Sequence, residues 1–182
     1  MLLKELNINS QLYLKAATPL HTQALFELIE AERENLQKFL DWPNKIQSLT
    51  DCESVIREMS LFNIGGQKYF CFIFQKGKLA GSLALSRIDY TNKKAELGFW
   101  KSRQRLSKQD MQIATEEFIK IAFQKLDLHR MEMHTLSANF AAKDLAQRLK
   151  FQQEAVLKEA IYRNDQFWDL EIWAKTLGQL PW

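Results

Sequence analysis

The chain has 182 residues with 46% hydrophobic and 26% charged side chains, which predicts one globular domain over residues 1–182 with a core of its own. Its formal net charge of +3 is well below that of a polybasic nucleic-acid-binding surface. The sequence also has no run near the ~18 apolar residues that a membrane span needs. We therefore expect a cytoplasmic protein without nucleic-acid or membrane partners.

The two cysteines, Cys52 and Cys71, form neither a CxxC pair nor a dense disulfide framework. Disulfides and a zinc site are therefore not expected, and no other metal site is predicted. This cysteine usage agrees with a reducing cytoplasm.

A half-buried strand is predicted over 11–16, where Leu12 and Leu14 alternate with polar residues. Thr18 and Pro19 then predict the start of a helix, because threonine caps helices and proline suits the first helical turn. Apolar residues at helical spacing follow.

Two more helical segments are predicted before residue 67. One begins at Arg33 and ends at the Trp42-Pro43 pair, since proline disfavours helix in the residue before it. The other begins at Thr50, which forms a capping box with Glu53, and Gly65-Gly66 ends it.

The pattern changes to strands after residue 67. Residues 68–74 form a continuous aromatic run, typical of a strand buried on both faces. Gly77 predicts a turn into a returning strand over 79–88, and a third strand follows over 94–100.

Residues 95–123 have the pattern of a strand, a loop and a helix. Met111, Ala114 and Phe118 recur at the spacing of one helical face. The loop before this helix has no glycine and carries four cations, Lys101, Arg103, Arg105 and Lys108. The N–H groups at such a helix N-terminus can bind a pyrophosphate.

The last third of the chain predicts a strand over 129–136, a helix over 139–150, and two strands over 151–161 and 166–174 around a polar turn. The complete order of strands and helices belongs to the α/β class with a mixed sheet.

Three stretches resemble one protein family: LDWP at 40–43, AELGFW at 95–100 and LHRMEM at 128–133. Together with the element order, they are similar to the GNAT acetyltransferases, in particular the ribosomal-protein-serine N-acetyltransferases of the RimL and RimJ type. The resemblance implies a twisted mixed sheet of about seven strands with helices on both faces. In that fold the fourth and fifth strands splay apart, and the pantetheine of acetyl-CoA lies in the gap.

This resemblance implies transfer of an acetyl group from acetyl-CoA to a primary amine, either the N-terminal α-amine of a protein or peptide or a small amine. The family's donor site falls on Leu97, Phe99, Trp100, Lys101, Ser107, Lys108, Gln109, Asp110, Met111 and Asn139. The LDWP motif places Trp42 at the acceptor entrance, although a core tryptophan that ends a helix fits the same pattern.

The phosphate loop departs from the family pattern. Its Q/R-x-x-G-x-G/A motif falls on Leu106, Gln109 and Met111, so the glycines that let backbone N–H groups approach a phosphate are absent. Ser107 and Asp110 instead predict a helix start that satisfies its own donors. The four cations of the loop could hold a polyphosphate by charge, or they form an ordinary solvated surface.

The family's proton-transferring residues are also replaced. Its serine and glutamate fall on Ala142 and Ile161, neither of which can transfer a proton. Ser137 and Glu159 lie near these positions and are candidate substitutes, and Glu96, Glu132 and His134 are further candidates for the base. Each also fits a purely structural role. Two hypotheses follow: an acetyltransferase with substituted acid-base residues, and a degenerate GNAT-fold protein with a binding or regulatory role.

Apolar side chains in the two last strands predict a homodimer. They are Phe167, Trp168, Ile172 and Trp173. A monomer would not leave such an apolar edge exposed.

Overall fold

The computed structural model describes residues 2–179. One eight-stranded sheet runs through this part of the chain, with strands β1 Glu5–Asn7, β2 Leu12–Ala16, β3 Tyr69–Gln75, β4 Lys78–Asp89, β5 Lys94–Lys101, β6 Arg130–Leu136, β7 Gln152–Arg163 and β8 Gln166–Thr176. The α-helices on it are α1 Thr22–Gln37, α2 Leu49–Gly65, α3 Lys108–Leu126 and α4 Phe140–Arg148. The mixed α/β class is confirmed, and β1 is a strand that the sequence pattern did not predict.

The strand order across the sheet is β1-β2-β3-β4-β5-β6-β8-β7. All neighbours pair antiparallel except β5 and β6, which are parallel. This parallel pair joins only Lys94–Glu96 to Arg130–Glu132. Beyond Glu96 the two strands have no register partners, so a gap opens between them; we call it the fork.

The core has a layer on each face of the sheet. On one face α3 contributes Phe118 and Ala114, and on the other α1 and α2 contribute Ile29 and Ile56. Strand β3 supplies side chains to both layers, so the prediction that it is buried on both faces is confirmed. None of the described helices is long and apolar enough to cross a membrane.

Three predicted helix boundaries are wrong. Helix α1 continues past Arg33 without a second start and ends at Gln37, and the predicted end at Trp42-Pro43 is instead the start of a short 3-10 helix, Trp42–Lys45. Helix α2 begins after Ser48, whose hydroxyl accepts a hydrogen bond from the N–H of Asp51 at 3.1 Å. Thr50 already lies inside the helix, so the capping box predicted there is displaced by two residues to a serine with an equally suitable side chain.

Trp173 does not belong to an exposed apolar edge. Its side chain is buried in the core, and its indole N–H donates to Glu171 Oε2 at 3.0 Å. The exposed aromatic side chains of the β7–β8 hairpin are Tyr162 and Phe167, whose ring centroids are 5.0 Å apart. The homodimer stays a prediction. The exposed apolar surface on which it would rest is smaller than the sequence suggested.

We predict that Gly81→Ala destabilises the fold. A Cβ at this position would lie 2.6 Å from the carbonyl oxygen of Trp100 and 3.1 Å from Cα of Lys101, so β4 and β5 would have to separate beside the fork. Overpacking of this kind costs ~1–3 kcal/mol, which denaturant unfolding would measure. Gly178→Ala is the control, because nothing lies within 4 Å of its Cβ position. Equal unfolding free energies for the two variants would contradict the prediction.

Candidate functional site

The main cavity of the described structure lies at the fork and has a volume of about 290 Å³. Its walls come from the end of α1 and the segment after it, β5, the start of α3, and α4. Residues 97–101 of β5 pair with β4 on one side only. Their backbone groups on the β6 side are therefore available to an extended ligand, as at other open strand edges.

Aromatic and aliphatic side chains form much of the cavity wall. They include Leu36, Phe39, Leu40, Phe99, Trp100, Met111, Ala142 and Leu145. Trp42 does not line the cavity itself; its ring packs against that of Trp100 with centroids 5.6 Å apart. Leu97 is buried in the core, so only its backbone can contribute to a site.

The loop between β5 and α3 is held from inside the protein by Glu32 of α1. The Glu32 side chain is only 4% exposed. Its Oε1 accepts hydrogen bonds from the Ser102 hydroxyl at 2.6 Å and the Arg103 N–H at 2.9 Å. Ser102 Oγ in turn accepts from the N–H groups of Gln104 and Arg105, both at 3.2 Å. Three consecutive loop N–H groups are therefore bonded to the chain's own oxygens.

Glu32 is an ionised carboxylate at neutral pH. Burial acts to raise its pKa, but hydrogen bonds from Ser102, Asn35 and the loop backbone outweigh this and lower the pKa overall. The loop is thus organised around an internal anion. Sequence reasoning missed Glu32 because it lies 70 residues from Ser102. A glutamate in a helix is usually exposed, so nothing in the neighbouring sequence indicates that this one is buried.

The N-terminus of α3 is capped as the sequence predicted. Ser107 Oγ accepts from the Asp110 N–H at 3.0 Å and donates to Asp110 Oδ2 at 2.8 Å. Within residues 2–179, the N–H groups of Lys108 and Gln109 have no hydrogen-bond acceptor. Capping therefore occupies one donor of the helix end and leaves two for a ligand.

Some of the cationic side chains near the cavity form hydrogen bonds within the protein. Lys101 Nζ donates to the Leu106 carbonyl at 2.6 Å, and burial lowers its pKa. Arg105 donates to the Leu79 carbonyl at 3.0 Å. The guanidinium of Arg103 lines the cavity and has no hydrogen-bond or ion-pair partner among the described residues.

Asp144 of α4 holds two further cavity cations. Its carboxylate lies 3.1 Å from Lys108 Nζ and 3.2 Å from Arg148 Nε. Hydrogen bonds from these two side chains lower the pKa of Asp144. The cavity thus combines four cationic side chains, including Lys101 and Arg103, with the single carboxylate of Asp144, and it has a positive balance suited to an anionic ligand.

Three of the predicted acid-base candidates lie together where β5 and β6 stop pairing. His134 Nδ1 is 3.1 Å from Glu96 Oε2, and His134 Nε2 is 3.1 Å from Glu132 Oε2. The Arg87 guanidinium lies 3.0 Å from Glu96 Oε2. Burial acts to raise the pKa of Glu132, but hydrogen bonds from Arg130 and His134 lower it overall.

Ser137 and Glu159 lie outside both the cavity and this charged cluster. The Ser137 N–H donates to the Asp169 carbonyl. Glu159 is exposed in an irregular part of β7, where its N–H donates to Asp169 Oδ1 at 2.9 Å. Asn139 lines the cavity, but its Oδ1 also caps α4 by accepting from the Ala142 N–H at 3.2 Å.

A model of the acetyltransferase (GNAT) domain matches residues 11–152. The chain belongs to the GNAT acetyltransferase family. It is 26% identical over 172 residues to the ribosomal-protein-serine acetyltransferase of Escherichia coli K12, covering 94% of this chain and 96% of the relative. It is 24% identical over 164 residues to the putative ribosomal N-acetyltransferase YdaF of Bacillus subtilis 168, covering 90% of each.

Solved GNAT structures agree with this assignment. RimL, a ribosomal L7/L12 α-N-protein acetyltransferase solved with coenzyme A, superposes with a TM-score of 0.90 at 25% identity, covering 94% of this chain and 97% of RimL. The microcin C7 self-immunity acetyltransferase MccE, solved with acetyl-CoA and AMP, gives a TM-score of 0.88 at 25% identity, covering 93% of this chain and 94% of MccE. The GNAT fold expected from the sequence motifs is therefore confirmed.

We predict that Glu32→Gln loosens the loop in a pH-dependent way. Losing hydrogen bonds to a buried charge costs ~1–3 kcal/mol at pH 7. Because the folded-state pKa of Glu32 is lowered from 4.5, its stabilising contribution is complete above that value and disappears as the pH falls through the folded pKa. Denaturant unfolding of wild type and variant should therefore differ at pH 7 and converge at low pH.

Glu34→Gln is the matched control for this experiment. Glu34 is exposed on the same helix, so its replacement should change stability little at either pH. A gap between wild type and Glu32→Gln that does not depend on pH would contradict the role of the Glu32 charge.

Proposed function

We propose that this GNAT protein transfers the acetyl group of acetyl-CoA to the N-terminal α-amine of a protein or peptide. The observation that carries the proposal is the fork, where an unpaired edge of β5 and a cation-lined cavity meet. The named activities of the relatives, acetylation of a ribosomal-protein serine and of the L7/L12 α-amine, support this acceptor class.

The residues of the cavity fit acetyl-CoA, with charge in place of a glycine cradle. The free edge of β5 at residues 97–101 suits an amide-containing pantetheine arm. The loop N–H groups of residues 103–105 are used internally, so the phosphates would depend on Arg103, Lys108 and the free N–H groups at the start of α3. When bound, acetyl-CoA supplies an activated thioester; binding and proton transfer are the work of the protein.

A contact between the β7–β8 hairpin and the segment after α1 lies beside the cavity and favours a chain end as the acceptor. The Arg163 guanidinium at the tip of the β7–β8 hairpin is 2.6 Å from Asp41 Oδ2 and donates to the Phe39 carbonyl. Phe39 itself lines the cavity. This contact joins the hairpin to the segment after α1. A cavity flanked by such a contact would admit a flexible N-terminus more readily than a lysine on a folded surface.

The second candidate is a GNAT protein that has lost catalysis and kept a binding or regulatory role. The observations that favour it are the internal use of the loop donors by Glu32 and Ser102, and the apolar side chains of Ala142 and Ile161 at the family's proton-transfer positions. The two candidates differ in one measurable outcome, turnover.

We predict that the purified protein releases free thiol from acetyl-CoA when given a peptide that begins with serine. Mass spectrometry should place the acetyl group on the α-amine. The matched control peptide has a blocked N-terminus and an internal lysine. We expect it to react at least ten-fold more slowly, which corresponds to an activation free energy that is higher by ~1.4 kcal/mol. Acetyl-CoA binding without turnover of any peptide would favour the second candidate.

A further prediction concerns the phosphate contacts. Asp144→Asn removes the carboxylate that neutralises Lys108 and Arg148, so acetyl-CoA should bind several-fold more tightly at low salt. This gain should shrink at high salt, because exposed charges are screened over ~10 Å at 0.1 M and ~3 Å at 1 M. Calorimetric titration would measure both affinities.

Asp127→Asn is the control for this titration. It makes the same charge change at the opposite end of α3, where Asp127 pairs with Lys93. If Asp144→Asn binds acetyl-CoA no more tightly than Asp127→Asn at low salt, these cations do not contact the phosphates.

A further inference from the structure

We propose that His134, supported by Glu96, removes the proton from the acceptor ammonium above Gly98, and we call these three residues the amine notch. The inference rests on the proposed acetyltransferase function and adds the residues that perform its proton transfer. It assigns this step to β5 and β6, because the family's own positions are occupied by Ala142 and Ile161.

The register of the sheet brings the notch together. Glu96 and Glu132 are the last paired residues of β5 and β6. Gly98 and His134 lie two residues further along each strand, and side chains two apart point to the same face. Where the strands separate, His134 therefore lies across the fork from Gly98, and Glu96 lies beside both.

The space over Gly98 is open. A Cβ built there would have only the Ala84 Cβ within 4 Å, at 3.9 Å. The next residues of β5, Phe99 and Trp100, line the cavity. An amine over Gly98 would thus lie between the charged cluster and the cavity that we assign to acetyl-CoA. The side chains of His134 and Glu96 are 18% and 20% exposed, so part of each is accessible to a ligand, although Glu96 Oε2 itself is buried.

The contacts of His134 leave one ring nitrogen as a proton acceptor. Arg87 Nη1 lies 3.3 Å from Nδ1 and can donate to it, while Nε2 faces Glu132 Oε2 at 3.1 Å and can donate. When the ring is neutral, a proton on Nε2 fits these partners and leaves the Nδ1 lone pair as the acceptor.

Glu96 is placed to stabilise a proton that arrives on Nδ1. Its Oε2 is buried and accepts no hydrogen bond among the described residues, although Arg87 Nη1 and His134 Nδ1 lie within 3.1 Å of it. Arg87 forms an ion pair with this oxygen without hydrogen-bond geometry, and a buried acceptor without an aligned hydrogen bond is costly. A protonated Nδ1 would donate the hydrogen bond that Oε2 lacks.

The proton and electron balance of the step is complete. His134 Nδ1 takes one proton from the ammonium, and the free amine's lone pair forms a C–N bond with the thioester carbonyl carbon. The C–S bond breaks with its electron pair on sulfur, and the second amine proton ends on that sulfur. The products are an amide and a thiol, and the imidazolium of His134 returns its proton to water.

The test is the pH dependence of kcat/KM for the serine-first peptide in wild type and His134→Gln. Without a base, only the unprotonated peptide reacts, and an α-amine has a pKa of ~8. We expect a loss on the order of 10² at pH 6 that shrinks towards wild-type activity at pH 9. The ionisable groups facing His134 are Glu96 from β5, Glu132 from its own strand and Arg87 from β4.

Glu96→Gln should also lower kcat/KM at acidic pH, but less than His134→Gln does. It removes the carboxylate that stabilises the imidazolium and leaves the base in place. Glu154→Gln is the matched control: it makes the same carboxylate-to-amide change at the Arg130 ion pair, outside the notch. We expect its pH profile to match that of wild type.

Gly98→Ala tests the position of the amine. Its methyl group would enter the open space without a backbone clash, so folding and acetyl-CoA affinity should be retained. The KM for the peptide should rise at least several-fold. An unchanged peptide KM would overturn the placement of the acceptor over Gly98.

Other outcomes separate the failure of this inference from failure of the proposed function. If wild type acetylates the peptide and His134→Gln loses activity equally at pH 6 and pH 9, or not at all, the amine notch is wrong and the acetyltransferase assignment stands. If wild type binds acetyl-CoA without acetylating any peptide, the proposed function fails, and the notch fails with it.

Discussion

The end of strand pairing at Glu96 and Glu132 is the constraint on which the site depends. Up to this point β5 and β6 satisfy each other's backbone groups, and beyond it each strand edge is open. The open edges can form hydrogen bonds with water or with an extended ligand in the gap, because backbone groups need partners. The cavity lies on one side of the last pair and the cluster of Glu96 and His134 lies at the pair itself, so the proposed donor and acceptor sites are neighbours where the sheet divides.

Charge replaces glycine throughout the donor side of the site. A glycine-rich loop binds phosphate through bare N–H groups, whereas here the N–H groups of residues 103–105 are bonded to Glu32 and Ser102, and those of Lys108 and Gln109 at the start of α3 stay free within residues 2–179. What faces the cavity is a set of long cationic side chains, two of them restrained by Asp144. If the cavity binds acetyl-CoA as we propose, we expect its affinity to depend more strongly on ionic strength than that of a glycine-rich loop.

Local patterns in the sequence predicted most of the fold. The strands β3 to β6 and the helix α3 follow from apolar spacing, and the Ser107 cap follows from two residues three apart. Strand β1 was missed because three residues, two of them polar, carry no periodic signal. The true cap of α2 was missed because Ser48 and Thr50 are chemically equivalent candidates.

The candidate site was predictable only in its local parts. Glu96 and His134 could be named as acid-base candidates, but their contact depends on the register between two strands far apart in sequence. The role of Glu32 depends on α1 packing over the sheet, and no short-range pattern encodes it. Long-range polar contacts of this kind need the fold before they can be recognised.

The internal anchoring of the loop by Glu32 also determines what binding costs in conformational entropy. A glycine loop samples many backbone conformations when empty and loses that freedom when a ligand orders it. Here the N–H groups of residues 103–105 are already fixed by protein acceptors. In the acetyl-CoA complex that we propose, the backbone of residues 103–105 therefore needs little further ordering, and the cationic side chains carry most of the entropy cost. Amide hydrogen exchange in this loop should be slow even in the free protein, with little further slowing when the cavity is filled.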